Sequence, residues 1–303
     1  MLTFGSIMNG AFRHFRERPL SVLVWGVVYM VITFGYSMAV MPGMMRQLDS
    51  AQAAPGSPQF ATAFFGMMLP LYLIMILISL VLIAASLRTL LRSGEERFAG
   101  MRLGMDELRL LGLFLILGIG FFIVALVGVI VVGALGGVLA MALGGSQSGV
   151  GILMVFVPML AFYCALIFLM VRLSLVSALT VLRRKIIIGE SWRLTSGHFW
   201  RLFGAYFVLG VMLFVLYMIV MLVTVGPVFF QMFSHGFSPQ GMQAANQMQL
   251  QRQLGGFSVV GIVSAIGNGL VVGMSYAIWS GAAATATQDL IGHIDVDLEE
   301  TFA

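Results

Sequence analysis

Apolar runs of membrane-crossing length alternate along this chain with short segments where basic and aromatic residues gather. Six runs stand out, at residues 20–41, 60–86, 110–133, 150–173, 199–225 and 257–286. About 20 apolar residues suffice for a helix to cross the hydrocarbon core of a bilayer, so each run predicts one transmembrane helix. The third apolar stretch extends from Leu110 to about Leu143, longer than a straight crossing needs. Its glycines at 133, 136, 137, 144, 145 and 149 predict that it ends in a flexible, uncharged loop. Pro42 to Gln59, with prolines at 42, 55 and 58, predicts a polar turn region. Gly226 to Gly256, rich in Gln and Met, predicts a second connection.

The polar segments have patterns of their own. Between Phe4 and Arg18, residues Phe4, Met8, Ala11, Phe12 and Phe15 recur at spacings of three and four, which predicts an interfacial amphipathic helix. Pro19 then suits the first position of a helix, where its missing N–H is not needed. The run that follows is long enough to span and is followed by no clear Ala-x-Ala site, so it is expected to be a retained span and not a cleaved leader. A second interfacial segment, Leu87 to Arg109, holds arginines 88, 92, 97, 102 and 109 among four acids. Two of those acids, Asp106 and Glu107, are placed for the first turn of the third span, where the helix dipole favours negative charge. The third segment, Arg183 to Gly204, is the most basic and aromatic interval between two apolar blocks. Gly197 divides it into a short amphipathic helix and the start of the fifth span.

These patterns repeat. Each odd-numbered span follows a basic segment, so the chain reads as three copies of interfacial helix, span, span. Arg109-Leu-Leu-Gly112 before span three matches Arg201-Leu-Phe-Gly204 before span five, and Arg18-Pro-Leu20 is a weaker third copy. Duplication of this kind is common in transporters and equally available to any protein that grew by hairpins. The fold expected is an all-α integral membrane protein: six transmembrane helices arranged as three hairpins, each led by a cytoplasmic interfacial helix. Residues 1–287 form one domain, and residues 288–303, which carry Asp289, Asp295, Asp297, Glu299 and Glu300, form an acidic cytoplasmic tail.

Composition agrees with the pattern. At 60% hydrophobic, 9% charged and mean hydropathy +1.03, the chain falls far from a soluble globule, where about 25% of residues are charged. The basic pI of about 9.6 points to topology and headgroup contact and not to nucleic acid, because the basic residues cluster beside apolar runs. Of the 16 Lys and Arg residues, 3 lie in the N-terminal segment, 5 after span two, and 6 are Arg172, Arg183, Arg184, Lys185, Arg193 and Arg201. The positive-inside rule makes those segments, and with them both termini, cytoplasmic.

Arg18-Pro19-Leu20 together with Glu190-Ser-Trp192-Arg193-Leu-Thr195-x-Gly197-x-x-Trp200-Arg201-Leu-Phe-Gly204 resembles the six-span membrane domain of bacterial glycerophosphoryl diester phosphodiesterases. The resemblance implies a bacterial inner-membrane protein. It does not imply hydrolase activity, since in the fused proteins that chemistry belongs to a separate soluble barrel for which this chain has no room.

No pattern for catalysis emerges. The four histidines, 14, 198, 235 and 293, never take the i, i+4 spacing of a zinc helix. Lys185 follows Arg184 and cannot close a phosphate loop. The serines of Gly144-Gly-Ser-Gln-Ser-Gly149 miss the positions of a nucleophile elbow. Cys164 is the only cysteine, which leaves no redox or metal pair. The 23 methionines could offer thioethers to Cu(I), yet without Cys or His pairs they read as apolar filler. The expectation is a protein that is not an enzyme and carries no cofactor or metal.

Two candidate sites remain. The first is a basic aromatic collar that binds membrane lipid or a partner protein, formed by Glu190, Trp192, Arg193, Thr195, Gly197, Trp200 and Arg201 with Arg102 and Arg109. In it Glu190 is expected to pair with Arg193. The second is an intramembrane polar group on span six, Asn268, Ser264 and Tyr276. It either hydrogen-bonds between helices or lines a small-molecule or lipid transport site against Pro158 and Tyr163 of span four. Span six also places a small residue at every fourth position, Gly269, Gly273, Ala277 and Gly281, which fits close packing within the chain or a homodimer seam.

Overall fold

The computed structural model describes residues 2–50, 58–92, 97–102, 104–142, 149–234, 238 and 259–302. Among these residues the chain is helical, with no strand. The helices are α1 (Phe4–Ala11), α2 (Arg13–Glu17), α3 (Pro19–Ser50), α4 (Pro58–Leu91), α5 (Met105–Ala142), α6 (Gly149–Leu173), α7 (Val176–Arg183), α8 (Ile188–Leu194), α9 (Phe199–Ser234) and α10 (Val259–Phe302). A 3-10 turn lies at Arg97–Gly100. Six of them, α3, α4, α5, α6, α9 and α10, are long and apolar enough to cross a membrane. Hydrocarbon offers backbone N–H and C=O groups no partner, so an apolar chain there pairs them within itself.

The helices run on past the apolar runs. α5 has 38 residues, about 57 Å at 1.5 Å per residue, and continues through Gly133, Gly136 and Gly137 where a loop is expected. A helical glycine costs only about 1 kcal/mol relative to alanine, too little to end so apolar a helix. Residues 143–148, the rest of that predicted loop, lie outside the described residues. α3 likewise runs to Ser50, through the position where Pro42 predicts a turn. α10 carries the acidic stretch to Phe302 as continuous helix and not as a separate tail.

The leading segments also depart from three equivalent helices. The first is broken at Phe12 into α1 and α2. In the second, α4 itself extends to Leu91, α5 begins at Met105, and the described residues between them hold a short 3-10 turn. The third contains α8 as expected.

The chain divides into two compact units. One comprises Met1–Ser6, Leu103–Gly204 and Ala283–Ala303, the other Ile7–Arg102 and Ala205–Ala282. In the first unit α5 packs along α6, with Phe162 laid over Gly128. Asp106 and Glu107 are buried in the first turn of α5. There Glu107 accepts from the Gly104 N–H at 2.9 Å, and Asp106 pairs with Arg109 at 3.0 Å.

The second unit centres on Val22 and Trp25 of α3, Ile78, Leu82 and Ala85 of α4 and Ala277 of α10. Here the small-residue stripe is taken up within the chain. A Cβ on Gly269 would meet the Gly26 carbonyl oxygen at 2.6 Å, and one on Gly273 the Val22 carbonyl oxygen at 2.7 Å. One on Gly281 would meet the Gly10 carbonyl oxygen at 2.5 Å. α10 therefore lies backbone to backbone against α1 and α3, and Ala277 is fully buried.

Gly273→Val forces a branched side chain into the α3 main chain, which cannot yield as a side chain can. Thermal unfolding in detergent is expected to show a loss of at least ~2 kcal/mol, whereas Gly118→Val, which meets nothing within 4 Å, is expected to be near neutral.

Candidate functional site

The stretch from Arg183 to Gly204 is built on α8, whose inward side holds Ser191 and Leu194, buried like Thr195 just after it, and whose outward side holds Trp192 and Arg193, both exposed. The anchor is one carbonyl. Arg172 stands in the last turn of α6, where main-chain oxygens have no partner within the helix. Its C=O accepts from Ser191 Oγ at 2.9 Å and from Thr195 Oγ1 at 3.3 Å. In return the Arg172 guanidinium donates to the Trp192 carbonyl at 3.3 Å and lies against two rings, 5.1 Å from the Phe168 centroid and 5.3 Å from that of Trp192, which meet each other at 83°. Further rings extend the surface: Phe199 sits 5.1 Å from Phe168, stacks on Phe203 at 5.8 Å and meets Trp200 edge-on at 5.3 Å. Trp200 is 77% exposed.

Gly197 turns the chain into α9 with φ +82°, a left-handed conformation that side chains rarely adopt. Glu190 pairs with Arg183 of α7 at 3.0 Å and not with Arg193. The i, i+3 expectation fails because α7 brings a second cation to the carboxylate across the intervening loop, which leaves Arg193 to point outward.

The paired motifs are equivalent in packing. Leu110 after Arg109 and Leu202 after Arg201 are both fully buried, while Leu20 of the weaker copy is 74% exposed. Arg201 donates to the Leu2 carbonyl at 3.0 Å and so fastens the first residues of the chain. Arg109 is tied to Asp106, and Arg102, exposed, belongs to the other unit. The structure thus brings Glu190, Trp192, Arg193, Thr195, Gly197, Trp200, Arg201 and Arg109 into one unit and leaves Arg102 in the second.

On α10 the Asn268 amide donates to the Ser264 carbonyl at 2.9 Å, a bond within its own helix, as is that of Ser275 to Val271. Tyr276 bonds to another helix, donating to Ser79 Oγ of α4 at 2.7 Å. Pro158 and Tyr163 belong to the other unit.

A third polar cluster escapes sequence reasoning. Trp25 Nε1 donates to the Ala99 carbonyl at 3.1 Å, and Arg88 Nη1 donates to the Gly100 carbonyl at 2.5 Å. Together they hold the 3-10 turn against α3 and α4. Arg88 is fully buried, which corrects its assignment to an interfacial basic segment. His14 is buried beside Trp25, ring centroids 5.1 Å apart, and its Nε2 lies 3.1 Å from both the Ser86 carbonyl and Thr89 Oγ1. A carbonyl only accepts, so Nε2 carries the proton and Nδ1 is the bare nitrogen. The Ala277 main chain comes near the ring but makes no hydrogen bond to Nδ1. Burial is the main reason the His14 pKa falls to about 4, with Arg18 and Arg13 adding repulsion. The signal available in sequence was only a His and a Trp eleven residues apart around Pro19.

The family model for a domain of unknown function, DUF7847, matches residues 2–284. The chain belongs to the DUF7847 family. The match includes α8 and the His14 cluster and stops before the acidic end of α10. No curated protein and no solved structure matches the chain.

Ser191→Ala removes the shorter of the two hydrogen bonds to the Arg172 carbonyl and is expected to lower stability by about 1 kcal/mol in thermal unfolding. His14 sets a pH dependence. Its folded pKa of about 4 lies below the ordinary 6.5, so the unfolded chain takes up the proton first. The contribution is intact above pH 6.5 and is lost as pH falls toward 4, by ~3 kcal/mol in all. Unfolding measured across that window is expected to show this loss in the parent relative to His14→Gln.

Proposed function

We propose that this protein is a non-enzymatic component of the bacterial inner membrane that binds or organises anionic lipid at the stretch from Arg183 to Gly204. The observation that carries the reading is the way α8 is docked. Its hydroxyls face the Arg172 carbonyl, so Trp192 and Arg193 are turned outward beside exposed Trp200, Arg201, Arg183, Arg184 and Lys185. Indoles and basic side chains gathered at the ends of apolar helices favour the headgroup level, where each cation near an anionic leaflet gains about 1 kcal/mol. The six apolar helices cross the membrane as three successive pairs, with both ends and the basic segments in the cytoplasm, an orientation drawn from the distribution of Lys and Arg. A partner protein with an acidic face could use the same surface.

A second reading, a small-molecule or lipid transporter with a polar site near the sixth span, rests on the Tyr276–Ser79 hydroxyl pair between α10 and α4. It is the weaker of the two, since Asn268 and Ser275 bond within α10.

Native mass spectrometry of detergent-purified protein separates the readings. Arg193→Ala with Arg201→Ala is expected to insert normally and to lose most of the anionic lipid the parent retains. Arg201→Lys, which keeps a charge near Leu2, serves as the control for the N-terminal tether. Equal retention by the double variant and the parent contradicts lipid binding at this surface.

A further inference from the structure

We infer that Arg172 is the residue of this surface that recognises phosphate, and that the group it holds is the headgroup phosphate of an anionic phospholipid. The inference rests on the lipid-binding reading above and adds to it a residue, a chemical class and a geometry.

Arg172 is a half-buried cation in the last turn of a helix long enough to span a membrane, and it forms no ion pair among the described residues. The carboxylates of the surrounding segment are taken: Glu190 by Arg183, Asp106 by Arg109, and Glu107 by the Gly104 N–H. The guanidinium has five N–H donors. Nη1 makes one bond, a long one, to the Trp192 carbonyl; Nε is buried without a partner; and the Nη2 edge makes no hydrogen bond among the described residues. A partly desolvated cation with unused donors is costly unless an anion completes it. The helix dipole and the two ring faces offset part of that cost but accept none of those protons.

The anion that fits is set by the surroundings. Phe168 and Trp192, T-shaped to one another at 83°, both lie against the guanidinium and limit how it can turn. A guanidinium offers parallel N–H groups to two oxygens of a phosphate, which a flexible ammonium does not. The rings of Phe168, Phe199 and Phe203 continue from it as an apolar surface of the kind an acyl chain or glycerol backbone covers. Exposed Trp192 and Trp200 place the edge at headgroup depth. Arg193, outward on the neighbouring turn of α8, raises the local preference for negative charge.

The test is a native mass spectrometric titration of the full-length protein, delipidated in a non-ionic detergent. Phosphatidylglycerol, oleate and inorganic phosphate are added separately to the parent, Arg172→Gln and Arg172→Lys. The parent is expected to take up phosphatidylglycerol saturably and more tightly than oleate. Arg172→Gln is expected to weaken that binding by about ten-fold, and Arg172→Lys to restore only part of it, with the unfolding temperature of each variant close to that of the parent. If Arg172→Gln does not fold, the drop in Arg172→Lys decides.

Equal phosphatidylglycerol binding by parent and both variants overturns the assignment of Arg172 and leaves lipid binding at Arg193 and Arg201 standing. Absence of saturable binding in the parent overturns both. Oleate binding as tight as phosphatidylglycerol overturns phosphate recognition, and inorganic phosphate binding as tightly on its own overturns the lipid as its source.

Discussion

Main-chain carbonyls that no helix can satisfy govern how this chain is put together. Within an apolar helix every N–H and C=O is paired, but the last turn always leaves oxygens over, and in a protein with so little polar surface each needs a donor from elsewhere. Four carbonyl oxygens, those of Arg172, Leu2, Ala99 and Gly100, fix the short segments of the chain. Ser191 and Thr195 bring α8 to Arg172, Arg201 brings the first residues to the start of α9, and Trp25 and Arg88 bring the 3-10 turn to α3 and α4. The donors are the side chains that a composition count treats as surface chemistry. Here they act first as structure, while Trp192, Trp200 and Arg193 face outward.

The spans, α8 and the turn at Gly197 were legible in the sequence because each depends on local pattern: an apolar run, a basic aromatic interval, a residue that tolerates positive φ. Helix ends were less legible. Gly133, Gly136, Gly137 and Pro42 are ordinary punctuation in water, yet they fail to stop α5 and α3 in a chain this apolar. The His14, Trp25 and Arg88 cluster was not legible at all, since its members meet partners more than seventy residues away or across a turn whose fold they themselves create. Glu190 failed for a related reason: the helix rule names Arg193, and a cation from another helix arrives first.

Function follows from which charges are used and which are left over. Arg88 is buried against a carbonyl and Arg109 is paired with a carboxylate, a difference from Arg193 that sequence alone does not show. Arg172 is the intermediate case. Its main chain is structural, its guanidinium lies against two rings, and among the described residues its remaining donors have no acceptor. A protein that fixes a cation in place without neutralising it has left room for an anion. At the end of an apolar helix beside two exposed indoles, the anion we propose is a lipid headgroup.

Single-cysteine labelling in intact cells tests the proposed placement of this surface most directly. In a Cys164→Ser background, Arg193→Cys and Gly104→Cys, both at exposed positions, are compared with Ser238→Cys between the fifth and sixth spans. An impermeant maleimide is expected to label position 238 from outside, and positions 193 and 104 only after the membrane is opened. Labelling of 193 and 238 from the same side contradicts the six-span arrangement and the cytoplasmic basic surface together.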